Sequence, residues 1–281
     1  MRLDRALAER GLARSRSHAQ ELIRSGAVTV DGAVSTKPAL MVDEVTSIEV
    51  HGQTDYVSRA AFKLLGALDA TAPLGLDISG MTALDAGAST GGFTQVLLER
   101  GIGHVHAVDV GHGQLSERIA ADPRVTAREG VNVRDLTSAS EGAGVDLVVA
   151  DLSFISLKIV LPALVDFARE GAQMLLMVKP QFEVGRERLG SGGVVTSLSD
   201  RAEAVAAVLA EARALGLVVR HVERSMLPGP HGNVEFFVWV GGAWQASDQN
   251  ATAPAWPVLD DEAQAAAIAR EVTSSSDKEG E

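Results

Sequence analysis

Two lysines and two acids have the residue types and the placement that catalysis could use. Asp151 closes the apolar run Val145-Asp-Leu-Val-Val-Ala, and Lys179 closes Met174-Leu-Leu-Met-Val. Glu235 begins a third run within Gly232-Asn-Val-Glu-Phe-Phe237, and Lys63 lies on a helix ahead of all three. Open α/β sheets form their sites at the carboxyl ends of parallel strands, and an antiparallel last strand brings its beginning to that side. A lysine ending an apolar strand is costly to bury without partners. For Lys179 alone, a rim salt bridge to Asp151 or Glu235 is the simpler account. For two lysines and two acids chemistry is the better one, because neighbouring cations and carboxylates can tune a lysine's proton affinity.

A ligand site is signalled by Ala83-Leu-Asp-Ala-Gly-Ala-Ser-Thr-Gly-Gly-Phe93, an apolar strand running into a glycine-rich turn directly ahead of a helix. Glycine lets backbone approach a ligand closely. Asp109 ends the next strand, 22 positions after Gly87, where a nucleotide-binding fold sets a carboxylate on ribose hydroxyls. The turn is not GxGxxG, and Asp85 in its approach would repel a diphosphate. A cofactor with a cationic amino-acid end, such as S-adenosylmethionine, suits it better. The expected cofactor set is Asp85, Gly87, Ala88, Ser89, Gly91, Gly92, Phe93 and Asp109, with Asn132 beyond the following strand. Gly87-Ala-Ser89-Thr-Gly91 also matches the G-x-S-x-G elbow of serine hydrolases. In that fold several strands precede the elbow, whereas here it ends the first strand of its domain; His221 or His231 would have to serve as the base.

Positioning these residues requires a doubly wound α/β sheet. Periodicity gives seven strands, at 81–86, 104–110, 125–131, 145–151, 173–179, 217–223 and 234–240, with helices near 92–100, 113–121, 156–169 and 199–215. This is a Rossmann-like arrangement whose last two strands, joined by Pro228-Gly-Pro-His-Gly232, form an antiparallel edge pair. The domain spans 58–246 and opens on a helix from Ser58 to about Ala70, with Ala61, Leu64, Leu65 and Leu68 inward. Residues 51–57 read as a linker. Residues 1–50 form a small α+β domain of two short helices and a hairpin. Leu3 and Leu7 share a face, Gly11 suits a left-handed cap, and Ser15 or Ser17 caps a second helix carrying Ala19, Leu22 and Ile23. Asp31-Gly32 between Val30 and Ala33 signals a tight hairpin.

The chain of 281 residues is 46% hydrophobic and has no cysteine, which excludes disulfides, thiolate metal sites and a cysteine nucleophile. No run approaches the roughly 18 apolar residues of a membrane span, and the N-terminus has no signal-peptide core, so a cytoplasmic protein is expected. The net charge of −12 is unlike a nucleic-acid binder, but it is unevenly spread. Residues 1–42 hold seven Lys/Arg against four Asp/Glu, whereas the tail 247–281 holds two against eight. Local patches govern such binding. Arg14, Arg16 and Arg24 cluster about the second helix, although charge alone favours a solvated face. The tail is expected to be partly disordered and partly helical over 261–271. His104 and His106 share a strand face without a third ligand, so no metal site is expected.

The N-terminal pattern Arg2-Leu-Asp, Arg10-Gly-Leu, Ser15-Arg16, Leu22-Ile23 and Gly26 resembles the S4-type RNA-binding domain of a ribosomal protein and several RNA-modifying enzymes. The remainder resembles FtsJ-type 2′-O-ribose methyltransferases. With Leu84–Phe93, Ala150-Asp-Leu-Ser-Phe-Ile-Ser156, Val178-Lys-Pro-Gln-Phe-Glu-Val-Gly185 and Gly232–Phe237, residues 1–242 resemble the TlyA (haemolysin A) family of ribosomal RNA cytidine 2′-O-methyltransferases. The resemblance implies a catalytic tetrad of Lys63, Asp151, Lys179 and Glu235, and ribosomal RNA as partner. It departs at the linker, where Thr54-Asp-Tyr-Val57 stands for the family's Arg-x-Trp-Val.

The implied reaction is attack of a ribose oxygen on the sulfonium methyl. A neutral hydroxyl needs a proton acceptor or a field favouring its anion. Lys179 is the central residue, with Lys63 acting on it by like charge and the two acids orienting both. Arg2, Arg14, Arg16 and Lys37 are the expected phosphate contacts, with Arg134 and Arg186 in loops beside the active site. A monomer is expected. The rival readings are a non-catalytic RNA-binding or ribosome-assembly protein and a serine hydrolase using Ser89.

Overall fold

The computed structural model describes residues 1–13, 15–24, 28–43, 45–50, 56–229, 231–242 and 256–274. The chain divides into two compact units, Met1–Tyr56 and Val57–Glu281.

In the first unit, α1 (Leu3–Glu9) and α2 (Arg16–Arg24) pack on β1 (Val28–Val30) and β3 (Ile48–Val50), and β2 (Ala33–Val34) pairs with β1. Leu3, Ala6 and Leu7 from α1 meet Ala19 and Ile23 from α2 and Val28 from β1 in one apolar cluster. Of the two candidate caps, Ser15 is the one used: its Oγ accepts the His18 amide at 3.2 Å. Asp31 and Gly32 have φ of 49° and 80°, the paired left-handed conformation that a two-residue hairpin needs. The third strand goes beyond the expected hairpin, giving the order β2-β1-β3. Three residues are too few for their alternation to register in the sequence.

The second unit runs α3 (Ala60–Thr71), β4 (Thr82–Ala86), α4 (Gly92–Glu99), β5 (His104–Asp109), α5 (Glu117–Ala120), β6 (Val125–Glu129) and β7 (Val145–Ala150). It continues through α6 (Leu157–Phe167), β8 (Ala168–Val178), α7 (Pro180–Glu183), α8 (Leu198–Ala214), β9 (Val218–Arg224), β10 (Phe236–Gly241) and α9 (Asp261–Thr273). The seven strands form one sheet in the order β6-β5-β4-β7-β8-β10-β9. β6, β5, β4, β7 and β8 pair in parallel, and β10 runs antiparallel to both neighbours. The strand order reverses between β4 and β7, so the turn after β4 and Asp151 after β7 flank the topological switch point where such sheets bind ligands.

Four elements differ from the sequence reading. The helix expected over 113–121 is only Glu117–Ala120. Glu129, at the end of β6, accepts the Gly113, Gln114 and Leu115 amides at 2.8, 2.8 and 3.2 Å and holds them as a loop. β8 begins at Ala168 rather than 173, through an irregularity opposite Val145 and Leu147. Glu235 precedes β10 instead of beginning it. Finally, part of the expected tail belongs to the domain. Ala267, Ile268 and Val272 of α9 join the core formed by the sheet with α6 and α8. Arg220 on β9 donates to the Gly242 carbonyl at 2.9 Å, and its guanidinium lies 4.7 Å from the Trp256 ring centre. Of the expected disordered stretch from Thr273 onward, Thr273 ends α9 and Ser274 caps it, and residues 275–281 lie outside the described residues.

Candidate active site

The turn after β4 is held from behind. The Gly87 and Ala88 amides donate to the Val108 carbonyl at 2.8 and 3.1 Å, and the Ser89 amide donates to Asp109 at 2.8 Å. Ser89 has φ 48°, a left-handed conformation stabilised by that bond. Two glycines are required by the chain's own packing. Gly91 has φ +94° and leaves no room for a Cβ, which would meet Leu115 at 2.9 Å; at Gly92 a Cβ would meet Ser58 Oγ at 2.2 Å.

Asp85 is fully buried and accepts the Thr94 hydroxyl at 2.6 Å through Oδ2, while Oδ1 has no partner. Burial pushes its carboxyl up to about 7, against the lowering effect of the Thr94 bond.

A cavity of about 250 Å³ opens in front of the turn. Gly87, Ala88, Ser89, Gly92 and Phe93 wall one side, and Lys63, Asp151 and Lys179 are on its wall as well. Asp85, Gly91, Asp109 and Asn132 are absent from the wall. Asp109 uses one carboxylate oxygen on Ser89 and the other on the Gly111 amide at 2.7 Å, so it shapes the turn. Asn132 caps its own turn by accepting the Arg134 amide at 3.1 Å.

The four charged residues form two ion pairs. Lys179 Nζ is 2.6 Å from Asp151 Oδ1 and donates to Ser153 Oγ at 3.1 Å. Lys63 bonds Glu235, and its Nζ lies 3.8 Å from Met177 Sδ. The two pairs differ in solvation. Glu235 and Lys63 are 1% and 4% exposed, whereas the Asp151 side chain is 15% exposed. Gln181 adds a bond to Glu235 at 3.2 Å. Sequence reasoning assigned no role to Ser153, Gln181 or Thr94. Ser153 and Gln181 each stand two residues past a site residue, a spacing that could have marked them.

A second loop contact supports the pairs. Glu183, at the end of α7, accepts the Ser156 hydroxyl at 2.5 Å and the Leu157 amide at 2.7 Å, capping α6. Burial raises its pKa, and these two bonds oppose the rise.

Among the described residues, no histidine stands on the cavity wall beside Ser89. His221 lies on the edge strand β9, bonded to Glu223 at 3.0 Å. The serine-hydrolase reading therefore lacks its base.

In the first unit, the buried carboxylate of Asp4 is shared by Arg2 at 3.0 Å, Arg16 at 3.1 Å and Gln20 at 2.8 Å. The Arg2 and Arg16 side chains remain 44% and 57% exposed. Lys37 is exposed, and Arg14 lies outside the described residues. In the second unit, Arg134 and Arg186 are exposed in loops after β6 and α7, and neither lines the cavity. Among the described residues no group of three His, Cys, Asp or Glu could hold a metal, and no helix is long and apolar enough to cross a membrane.

Comparison with known families gives two matches: an FtsJ-like methyltransferase model over residues 56–242 and an S4 domain model over residues 1–45. The chain is 52% identical over 241 residues to the 16S/23S rRNA (cytidine-2′-O)-methyltransferase TlyA of Mycobacterium tuberculosis, covering 85% of this chain and 89% of that protein. It is 35% identical to the putative rRNA methyltransferase YqxC of Bacillus subtilis, covering 85% and 86%. Among solved structures, a putative hemolysin from Streptococcus thermophilus superposes with a TM-score of 0.70 at 33% identity, covering 96% of this chain and 95% of that one. The charged pairs at the switch point and the glycine turn thus belong to a chain that is a member of the FtsJ-like methyltransferase family and, within it, of the TlyA group.

Proposed function

We propose that this protein transfers a methyl group from S-adenosylmethionine to a cytidine 2′-hydroxyl of ribosomal RNA in the cytoplasm. The observation that carries the reading is the shared cavity: the glycine turn forms one wall, and Lys63, Asp151 and Lys179 reach the same space.

The residues fit an adenosyl sulfonium better than a dinucleotide. Three consecutive amides that a diphosphate would use, on Gly87, Ala88 and Ser89, are committed to Val108 and Asp109. Asp85 behind the turn keeps one unpartnered oxygen, and its ionised form would favour a cationic ligand over a diphosphate. S-Adenosylmethionine supplies an electrophilic methyl group when bound. Gly87, Ala88, Ser89, Gly92 and Phe93 would hold it.

On the chain's side, Lys179 Nζ is the group placed to hydrogen-bond the ribose hydroxyl. Asp151 and Ser153 fix its direction, and Asp151 is open enough to the cavity to take up a proton passed through Lys179. Lys63 contributes a second positive charge to the same wall, anchored by Glu235, and so favours a developing ribose oxyanion. The S4 unit supplies RNA affinity through Arg2, Arg14, Arg16 and Lys37, with Arg134 and Arg186 nearer the target.

Mapping 2′-O-methylation on unmodified ribosomal RNA, incubated with protein and methyl donor, tests the reading. New methyl groups on cytidine riboses that vanish in Lys179→Ala are expected. RNA binding without methyl transfer would instead favour the assembly-protein reading.

A further inference from the structure

Asp151 and Lys179 end neighbouring parallel strands, and the two loops that follow them run side by side. The loops are tied at three levels. Lys179 meets Asp151 and Ser153 at 2.6 and 3.1 Å. Phe182 packs on Phe154, with ring centres 5.3 Å apart. Glu183 takes the Ser156 hydroxyl and the Leu157 amide at 2.5 and 2.7 Å. The segment carrying Lys179 is itself a closed turn, since the Phe182 amide donates to the Lys179 carbonyl at 2.8 Å and the Val184 amide to Pro180 at 3.1 Å. The segment carrying Asp151 has less of its own: Phe154 sits at φ 64°, a strained left-handed conformation for a bulky residue. Asp151 itself is fixed by its amide on the Ala86 carbonyl at 3.1 Å, and the loop beyond it is held by the ties to the Lys179 turn, of which the Glu183 tie is the farthest along. A carboxylate at the N-terminus of the 11-residue α6 satisfies one of the helix's free amides and is favoured by its dipole.

We propose that Glu183 is a positioning residue for methyl transfer: by clamping the start of α6 to the Lys179 turn, it sets where Asp151 and Ser153 stand relative to the lysine amine. The inference rests on the active-site reading above. Glu183 touches neither substrate nor cofactor in this account and acts through Asp151. Reacting groups are sensitive to such shifts, since a displacement of about 1 Å can cost on the order of 100-fold in rate. A glutamine keeps the clamp without the charge, because its carbonyl oxygen still accepts from Leu157 and its amide donates to Ser156 Oγ.

The test is single-turnover methyl transfer to unmodified ribosomal RNA at saturating S-adenosylmethionine, with the cofactor dissociation constant and melting temperature measured on the same preparations. Glu183→Ala should slow the step on the order of 10- to 100-fold per folded molecule, leaving cofactor affinity and RNA KM near wild type. Glu183→Gln should recover most of the rate. Ser156→Ala, which removes one of the two bonds together with the cap on the Lys158 amide and serves if Glu183→Ala does not fold, should slow the step by a smaller factor per folded molecule. Wild-type rates in Ser156→Ala and Glu183→Ala, or a glutamine variant as slow as the alanine one, would overturn the role. Lys179→Ala run alongside separates the two failures. If it too is fully active, the active-site reading falls; if it alone is inactive, only the role of Glu183 does.

Discussion

Glu235 gives its carboxylate to Lys63 on α3, although the register of β10 on β8, with Phe236 opposite Val178, brings it alongside Lys179. Glu235 is closed off from solvent, Lys63 still lines the cavity although it is almost as buried, and Lys179 with Asp151 forms the more open pair. The two lysines should respond differently to substitution.

Lys179→Ala should fold, bind S-adenosylmethionine and bind RNA, yet transfer methyl groups about 10²–10⁴-fold more slowly. Lys63→Ala strands a carboxylate that is 1% exposed, so it should also lose stability, of the order of 3–5 kcal/mol. The double variant should fall short of the product of the two rate losses, because residues acting as a unit are not additive. Melting curves and single-turnover rates on the same samples check this. A Lys179→Ala protein that is destabilised but fully active would sink the catalytic assignment.

Asp109 holds the turn through two amides. Asp109→Ala frees the Ser89 and Gly111 amides. S-Adenosylmethionine binding should weaken by roughly 1.5–3 kcal/mol, the scale of hydrogen bonds to a charged group. Calorimetry should show heat with S-adenosylmethionine and none with NAD. The opposite pattern would overturn the cofactor assignment.

The arginines of the first unit have two jobs that can be separated. Arg16→Ala removes a partner of the buried Asp4 carboxylate as well as an exposed cation, so RNA affinity and the stability of that unit should both drop. Lys37→Ala, at an exposed position, should weaken RNA binding alone. Each neutralisation of a phosphate contact should reduce the salt dependence of binding by about one counterion. Unchanged salt slopes in both variants would remove the RNA role from these residues.

Asp85 should leave a pH signature. Its carboxyl sits near 3.8 in the unfolded chain and at about 7 in the folded protein. Between those values the unfolded state has released a proton that the folded state still holds. This group's contribution therefore makes stability fall as pH rises from about 4 to about 7, then level off. Asp85→Asn lacks that contribution. Its stability relative to wild type should climb by up to about 4 kcal/mol across the same window, at 1.4 kcal/mol per pH unit. Denaturant titrations at several pH values measure the difference, and parallel curves for the two proteins would contradict it.

The sheet was legible because each strand is an apolar run closed by a polar residue, and runs such as Val145–Ala150 have little alternative to a buried parallel strand. The charged residues were legible for the same reason, since Asp151 and Lys179 interrupt that pattern at its end. What remained hidden depends on long-range pairing. Nothing local says that Glu235 prefers Lys63, that Glu129 converts 113–115 from helix to loop, or that Asp109 faces the turn's amides. α9 was read as a tail because its charged exposed face outweighs the buried positions Ala267, Ile268 and Val272.

The grip of Arg220 on both Gly242 and Trp256 has a practical side for protein engineering. Because Arg220 fastens Trp256 to β9, truncation ahead of that residue has a cost. It would strip α9 from β9, leave a sheet surface wet that the full chain keeps dry, and yield a protein that aggregates however complete its active site.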